Sequence, residues 1–308
     1  MTAADPLVSA LHEGRRRFLE LVADIRPDLH RYCARMTGSV ADGEDIVQDT
    51  LARAYYALSE LSELPALRPW LFQIAHNRAL DQLRRYDRRM GQPLDNVAET
   101  LTDDAGDPER SLVAEEATRI AIARFSELVP LQRSAVILKD VLGHSNEEIA
   151  ELIGLSVPAV KAALHRGRER LRSLAQVASL DAASAPRVPS PGLARYAELF
   201  NARDWDGVRA LLAEDVRLDL VSRVQRTGRR DVSSYFSNYS NVPNWRVLPA
   251  FVDDREVLAV FRESNSARPD YFVELTLSET SVRQIKDFRY VPYILADAAI
   301  EIAARSSG

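Results

Sequence analysis

Two rows of side chains in this sequence are spaced to meet a polyanion. Lys161, His165 and Arg168 recur at i, i+4 and i+7, with Arg166 beside them, and residues so spaced share one face of a helix. Asn77, Asp81, Arg84 and Arg88 recur at i, i+4, i+7 and i+11, flanked by Arg78, Arg85 and Arg89. The chemistry open to such rows is recognition, not bond-making. Guanidinium and ammonium groups pair with phosphates, while an amide or carboxylate in line with them can meet base edges. An intrahelical ladder joining Asp81 to Arg84 or Arg85 is equally compatible with the second row.

The elements that must carry the first row lie between Gly143 and Leu171. Ser145 followed three residues later by Glu148 is a capping box, opening a helix whose apolar side is Ile149, Ala150 and Ile153. Gly154 supplies a left-handed residue to end it, and Ser156 caps the next helix, with Pro158 in its first turn. Val160 and Leu164 face inward and the cationic row outward. A short helix with a basic stripe after a three-residue turn has the form that enters a DNA major groove. An ordinary helical hairpin with a solvated basic face is the other reading.

Charge distribution favours the first. The 308 residues carry a net charge of −5, yet basic and acidic residues come in blocks. Five arginines fall between Arg78 and Arg89, and five basic residues between Lys161 and Arg172. The stretch from Gly91 to Glu115 holds seven acids and only Arg110. Two DNA-facing surfaces joined by an acidic connector follow from that alternation. With 46% apolar and 28% charged residues the chain is of soluble globular type, long enough for two or three domains. No apolar run approaches a bilayer span, and the first residues lack a signal-peptide core. Cys33 is the only cysteine, which excludes an intramolecular disulfide and a cysteine zinc site. The expectation is a cytoplasmic protein with no metal, no cofactor and no membrane partner.

Taken in order, residues 15–90 read as helices. Phe18, Leu19, Leu21 and Val22 begin an amphipathic stretch that resumes at Leu29, Tyr32, Cys33 and Met36 and stops at Gly38. Asp42 is a candidate cap for the next helix, whose apolar stripe is Val47, Leu51, Ala54, Tyr55 and Leu58. Asp45, Gln48, Asp49 and Arg53 form its polar face. A loop bracketed by Pro65 and Pro69 leads to a helix that buries Trp70, Leu71, Ile74 and Ala75 and bears the arginine row.

These stretches resemble a known family. Glu44-Asp45-Ile46-Val47-Gln48-Asp49, followed by Trp70-Leu71 and Asn77 to Asp81, is similar to conserved region 2 of sigma-70-type transcription initiation factors. Val129-Pro130 to Arg133, then Glu148 to Ser156 and Val160-Lys161 to Arg168, resembles their region 4. The absence of longer domains points to the extracytoplasmic-function class. The resemblance implies two all-α domains, residues 15–90 and 116–173, joined by an acidic linker at 91–115. It implies that Asp45, Gln48, Asp49 and Arg53 dock on core RNA polymerase. It gives minus-ten promoter DNA to loop 61–69 and to Asn77, Arg78, Asp81, Arg84, Arg85 and Arg88. The minus-thirty-five element falls to Ser156, Lys161, His165, Arg166 and Arg168. Ala162 and Ala163 depart from the family, which often carries Ser and Arg there. Alanines cannot hydrogen-bond base edges, so phosphate contacts with weak sequence readout are expected at this helix.

After a linker rich in Ala, Ser and Pro at 174–192 the pattern changes. Leu193–Phe200 and Trp205–Leu212 read as helices, Val216–Val221 as a strand and Val232–Tyr239 as a helix. Four strand-like runs follow, Trp245–Val252, Val257–Arg262, Tyr271–Leu277 and Val282–Val291. This α+β cone over 193–300 resembles the SnoaL-like branch of the NTF2-like fold, which implies a pocket able to hold a small molecule of undetermined kind. All five histidines lie at or before residue 165, so the acid–base histidine used by enzymes of such folds is missing. Asp219, Glu274 and Arg262 are candidates to line a cavity, or equally exposed strand residues.

Three functions compete. One is a transcription initiation factor, not an enzyme, whose fused C-terminal domain contacts the sigma domains and modulates them. Another is an NTF2-like enzyme targeted to DNA by its helical half. The last is a helix–turn–helix repressor, which leaves the residue 15–90 motifs without a role.

Overall fold

The computed structural model describes residues 6–58, 60–90, 122–178, 187–240, 244–263, 266–278 and 281–304. They belong to two compact units, Met1–Ala182 and Ala183–Gly308. The acidic connector expected at 91–115 and part of the linker at 174–192 lie outside the described residues.

The first unit is all helical. Its elements are α1 (Pro6–Leu21), α2 (Arg26–Thr37), α3 (Val40–Ala57), α4 (Leu67–Met90), α5 (Ile122–Phe125), α6 (Pro130–Val136), α7 (Asn146–Ile153) and α8 (Val157–Ala178). A π-helical turn, Ile137–Val141, prolongs α6. Gly38, left-handed at φ 79°, ends α2 as expected, because a Cβ there would be strained. The cap of α3 is Ser39, not Asp42. Ser39 is extended and its side chain accepts from the Asp42 N–H at 3.3 Å, which leaves Asp42 in the first turn. Gly43 lets α3 cross α2 closely, since a Cβ there would lie 2.5 Å from the backbone nitrogen of Ala34.

The apolar stripes meet in one continuous core. Val47, Leu51, Leu71, Phe72 and Ala75 from α3 and α4 join Tyr32 and Met36 from α2, and Ala135, Ile137, Ile149, Val160 and Leu164 from the later helices. The expected stripe is otherwise intact, but Leu21 is 58% exposed because α1 turns it outward. The helix–turn–helix forms as its caps require. Both halves of the Ser145/Glu148 capping box are made, Gly154 is left-handed at φ 72°, and the Ser156 hydroxyl accepts from the Ala159 N–H at 3.3 Å.

The second unit is a curved sheet against helices. Helices α9 (Pro191–Asn201) and α10 (Trp205–Ala210) precede β1 (Leu212–Leu220) and β2 (Val224–Thr227). After α11 (Arg229–Ser233), a 3-10 turn and α12 (Ser237–Ser240) come β3 (Arg246–Val252), β4 (Arg255–Phe261), β5 (Tyr271–Leu277) and β6 (Val282–Asp287). Helix α13 (Ile294–Asp297) and β7 (Ile300–Ile302) close the chain. The sheet order is β2-β1-β6-β5-β4-β3-β7, antiparallel except for the parallel β1–β6 pair. Strands β2 and β7, the two edges, were not foreseen. One is four residues long and exposed, the other three, too short for an alternating pattern.

Candidate nucleic-acid and protein-binding surfaces

Helices α3 and α4 pack side by side, and their polar faces share an edge. Asp45 is exposed; Gln48 and Asp49 are partly so. Arg53 Nε bonds both carboxylate oxygens of Asp49 at 3.1 Å, one turn earlier on α3. From α4, Arg78 Nε donates to Asp49 and Arg78 Nη1 donates to Asp81 Oδ2 at 3.1 Å. Arg84 stands 3.9 Å from the other Asp81 oxygen. The ladder reading of this row is therefore realised in part, through Arg78 as well as Arg84, while Asn77, Arg84, Arg85 and Arg88 remain exposed. Tyr86, 62% exposed among these arginines, was missed. An aromatic ring interleaved with cations on a polar helix was the available signal, since such rings stack on bases.

The cationic row of α8 is split by the fold. Lys161 and His165 are exposed on α8, and His165 lies 3.7 Å from Glu169. Arg168 does not continue that row into solvent. Its guanidinium forms a bidentate pair with Asp140, at 2.5 and 2.9 Å, and only 17% of its side chain is exposed. Asp140 is buried at the end of the helix preceding the motif, and its hydrogen bond holds Arg168 still more firmly in the charged form. On α8 the drift of Arg168 is toward the buried Leu164, about 40° round the helix from it, and on that core-ward side of the row its long side chain meets Asp140. Arg166 is half-buried, and Ser156 is spent on its cap. Ala163 is also inward, fully buried in the core, so of the two alanines only Ala162 reaches the outer surface. Gly167 explains the tight fit, because a Cβ there would come within 2.7 Å of Val136.

The two helical halves are joined by a buried polar cluster. The Tyr32 hydroxyl lies 2.7 Å from His76 Nδ1 and 2.8 Å from Ser134 Oγ, and Ser134 is 3.2 Å from the same ring nitrogen. Burial, with Arg84 contributing, pushes His76 down to about 4. The ring is therefore neutral in the folded protein at pH 7. Next to it Arg133 donates to three carbonyls, of Met36 at 2.5 Å, Ser126 at 2.6 Å and Leu128 at 2.8 Å. A buried guanidinium whose donors reach carbonyls on both sides acts as a fastener. Spacing does not bring Tyr32, His76 and Ser134 together, since each of the three belongs to a different helix.

In the second unit the candidates Asp219, Glu274 and Arg262 do not converge. Asp219 and Glu274 flank Lys286 in one cross-strand row, while Arg262, directly after β4, lies over the rings of Trp245 and Tyr271. The cluster that does form was not foreseen. Asp287, fully buried, accepts from Tyr235 at 2.5 Å, Tyr239 at 3.3 Å and the Arg289 N–H at 2.8 Å. Tyr271 joins through Tyr239 at 3.3 Å. Burial raises the carboxyl of Asp287 and the tyrosines alike. Among the described residues no group of His, Cys, Asp and Glu is arranged to hold a metal, and no helix is long and apolar enough to cross a membrane.

With this geometry in hand, the chain matches sigma-70 region 2 over residues 21–89, sigma-70 region 4 over 119–171 and a SnoaL-like domain over 193–286. It is 36% identical over 217 residues to the ECF RNA polymerase sigma factor SigG of Mycobacterium tuberculosis. That match covers 63% of this chain and 58% of SigG, so the chain spans less than two thirds of that relative. To the ECF RNA polymerase sigma factor SigW of Bacillus subtilis it is 30% identical over 164 residues, covering 50% of this chain and 87% of SigW. Among solved structures, the extracytoplasmic function sigma factor SigJ of Mycobacterium tuberculosis aligns with 87% of this chain and 95% of its own, at 22% identity and a TM-score of 0.36.

Proposed function

Since this chain belongs to the extracytoplasmic-function RNA polymerase sigma factors, we propose that it binds core RNA polymerase and directs it to promoters in the cytoplasm. The observation that carries this reading is the pairing of two unlike polar surfaces on one helical unit. The α3 face, with Asp45, Gln48, Asp49 and Arg53, is acidic in balance and suits a basic protein surface. The α4 face, with Asn77, Arg84, Arg85, Arg88 and Tyr86, suits a melted strand, where cations hold phosphates and rings stack on bases. Lys161, His165 and Arg166 on α8 then contact duplex phosphates near the minus-thirty-five element. Arg168 serves α8 by anchoring it to Asp140.

The C-terminal unit is a modulator, not an enzyme, in this reading. The Asp287 carboxylate is already met by Tyr235, Tyr239 and a backbone N–H, the condition of a structural carboxylate. A free catalytic base would keep an oxygen for substrate. Promoter-specific initiation with purified core polymerase tests the whole proposal. Transcripts starting at defined sites only when the chain is added are expected, and deletion of residues 183–308 changes their yield. Binding to promoter fragments without any dependence on core would favour a repressor instead.

A further inference from the structure

The two surfaces of region 2 are not independent, because they share an ion pair. Asp49 belongs to the face assigned to polymerase, and Arg78 to the face assigned to the minus-ten strand. In the free chain Arg78 gives its Nε to Asp49 and its Nη1 to Asp81, so two of its N–H donors are committed to carboxylates of the protein itself. Its side chain is 19% exposed, against 55% for Arg84 on the same helix. A phosphate that takes this guanidinium through its Nε edge must displace Asp49 from it.

We propose that the Asp49–Arg78 pair is a latch that couples polymerase binding to promoter-strand binding. This rests on the assignment of the α3 face to polymerase and the α4 face to DNA. A cationic group of the polymerase that takes Asp49 competes directly with Arg78, and with Arg53, which bonds both oxygens of the same carboxylate. Arg78 is then left with Asp81 alone, on the side of the helix where Arg84 also stands. A strand phosphate can replace that remaining contact. The coupling is reciprocal: a strand that draws Arg78 away exposes Asp49 to the polymerase. Free chain therefore holds Arg78 back from nucleic acid, and the polymerase complex does not.

The pair is not needed to hold the helices together. Val47 and Leu51 of α3 already pack with Leu71, Ala75 and Ala79 of α4 in the core. Asp49 is 38% exposed, and a pair so close to solvent adds little to stability. Its position where two binding faces meet suits a role in exchange.

The test uses the full chain and a fluorescent 20-nucleotide single strand of mixed sequence, with affinity read by anisotropy over a salt series. Asp49→Asn keeps the shape and removes the charge. It is expected to tighten strand binding by the free chain about two- to fivefold and to steepen the salt slope by about one phosphate contact. Asp45→Asn removes an equal charge one turn away and controls for general electrostatics. The gain must exceed that of Asp45→Asn and must vanish in Asp49→Asn with Arg78→Gln. Equal gains for the two asparagine variants, or a gain that survives loss of Arg78, overturn the latch. Affinity for core polymerase is measured on the same proteins. If neither Asp45→Asn nor Asp49→Asn weakens it, the polymerase assignment itself fails, whatever the strand-binding arm gives.

Discussion

Acidification should loosen the helical unit at the joint between its halves, and His76 is the reason. The ring titrates at about 4 in the fold and at 6.5 in an unfolded chain. Between those values the unfolded chain binds more protons, so stability is complete above pH 6.5 and falls as pH drops toward 4. Each pH unit of separation is worth about 1.36 kcal/mol. From pH 7 to pH 5 the loss from this group is about 2 kcal/mol, and it approaches 3 kcal/mol as the ring itself titrates. Against a domain stability of about 5–15 kcal/mol that is a large fraction. Carboxylates titrate over the same range, so the informative quantity is the difference between wild type and His76→Asn. The asparagine oxygen can accept from Tyr32 in place of Nδ1 but does not ionise. Urea unfolding of the full chain, followed at 222 nm where the helices dominate, is measured at pH 7 and pH 5. Wild type should lose about 2 kcal/mol more than the variant. A difference below about 0.5 kcal/mol, within the error of additivity, would refute the claim that a neutral buried imidazole holds this joint.

Gly43→Ala pushes a Cβ into the backbone of Ala34 and should cost about 3 kcal/mol, read as a lower thermal midpoint of the helical unit. Lys161→Met should weaken duplex binding and lower the salt slope by about one. Arg168→Met should leave that slope unchanged and instead destabilise the helical unit by about 3 kcal/mol, because Asp140 is left buried without its cation. Asp287→Ala strands the hydroxyls of Tyr235 and Tyr239 and should cost the C-terminal unit about 2–4 kcal/mol, visible in the unfolding signal of Trp205 and Trp245.

The local features of this chain were set by residues near one another. Ser145 with Glu148, Gly154 and Ser156 define the helix–turn–helix because caps and left-handed residues act over three or four positions, and the structure reproduces each. The strands β3 to β6 were readable for a like reason, since apolar residues on a sheet recur over a few positions. The resemblance to family motifs extended that reading to function, as an expectation of which faces meet partners. What the tertiary structure alone decided is how polar groups from distant segments pair. The meeting of Tyr32, His76 and Ser134, the commitment of Arg168 to Asp140, and the Asp287 cluster with Tyr235 and Tyr239 all join residues separated by 28 to 102 positions. A side chain's neighbours across such distances depend on how helices cross and strands register. Helical periodicity could place Arg168 on the outer row only to within a fraction of a turn. That fraction separates a phosphate contact from a buried ion pair.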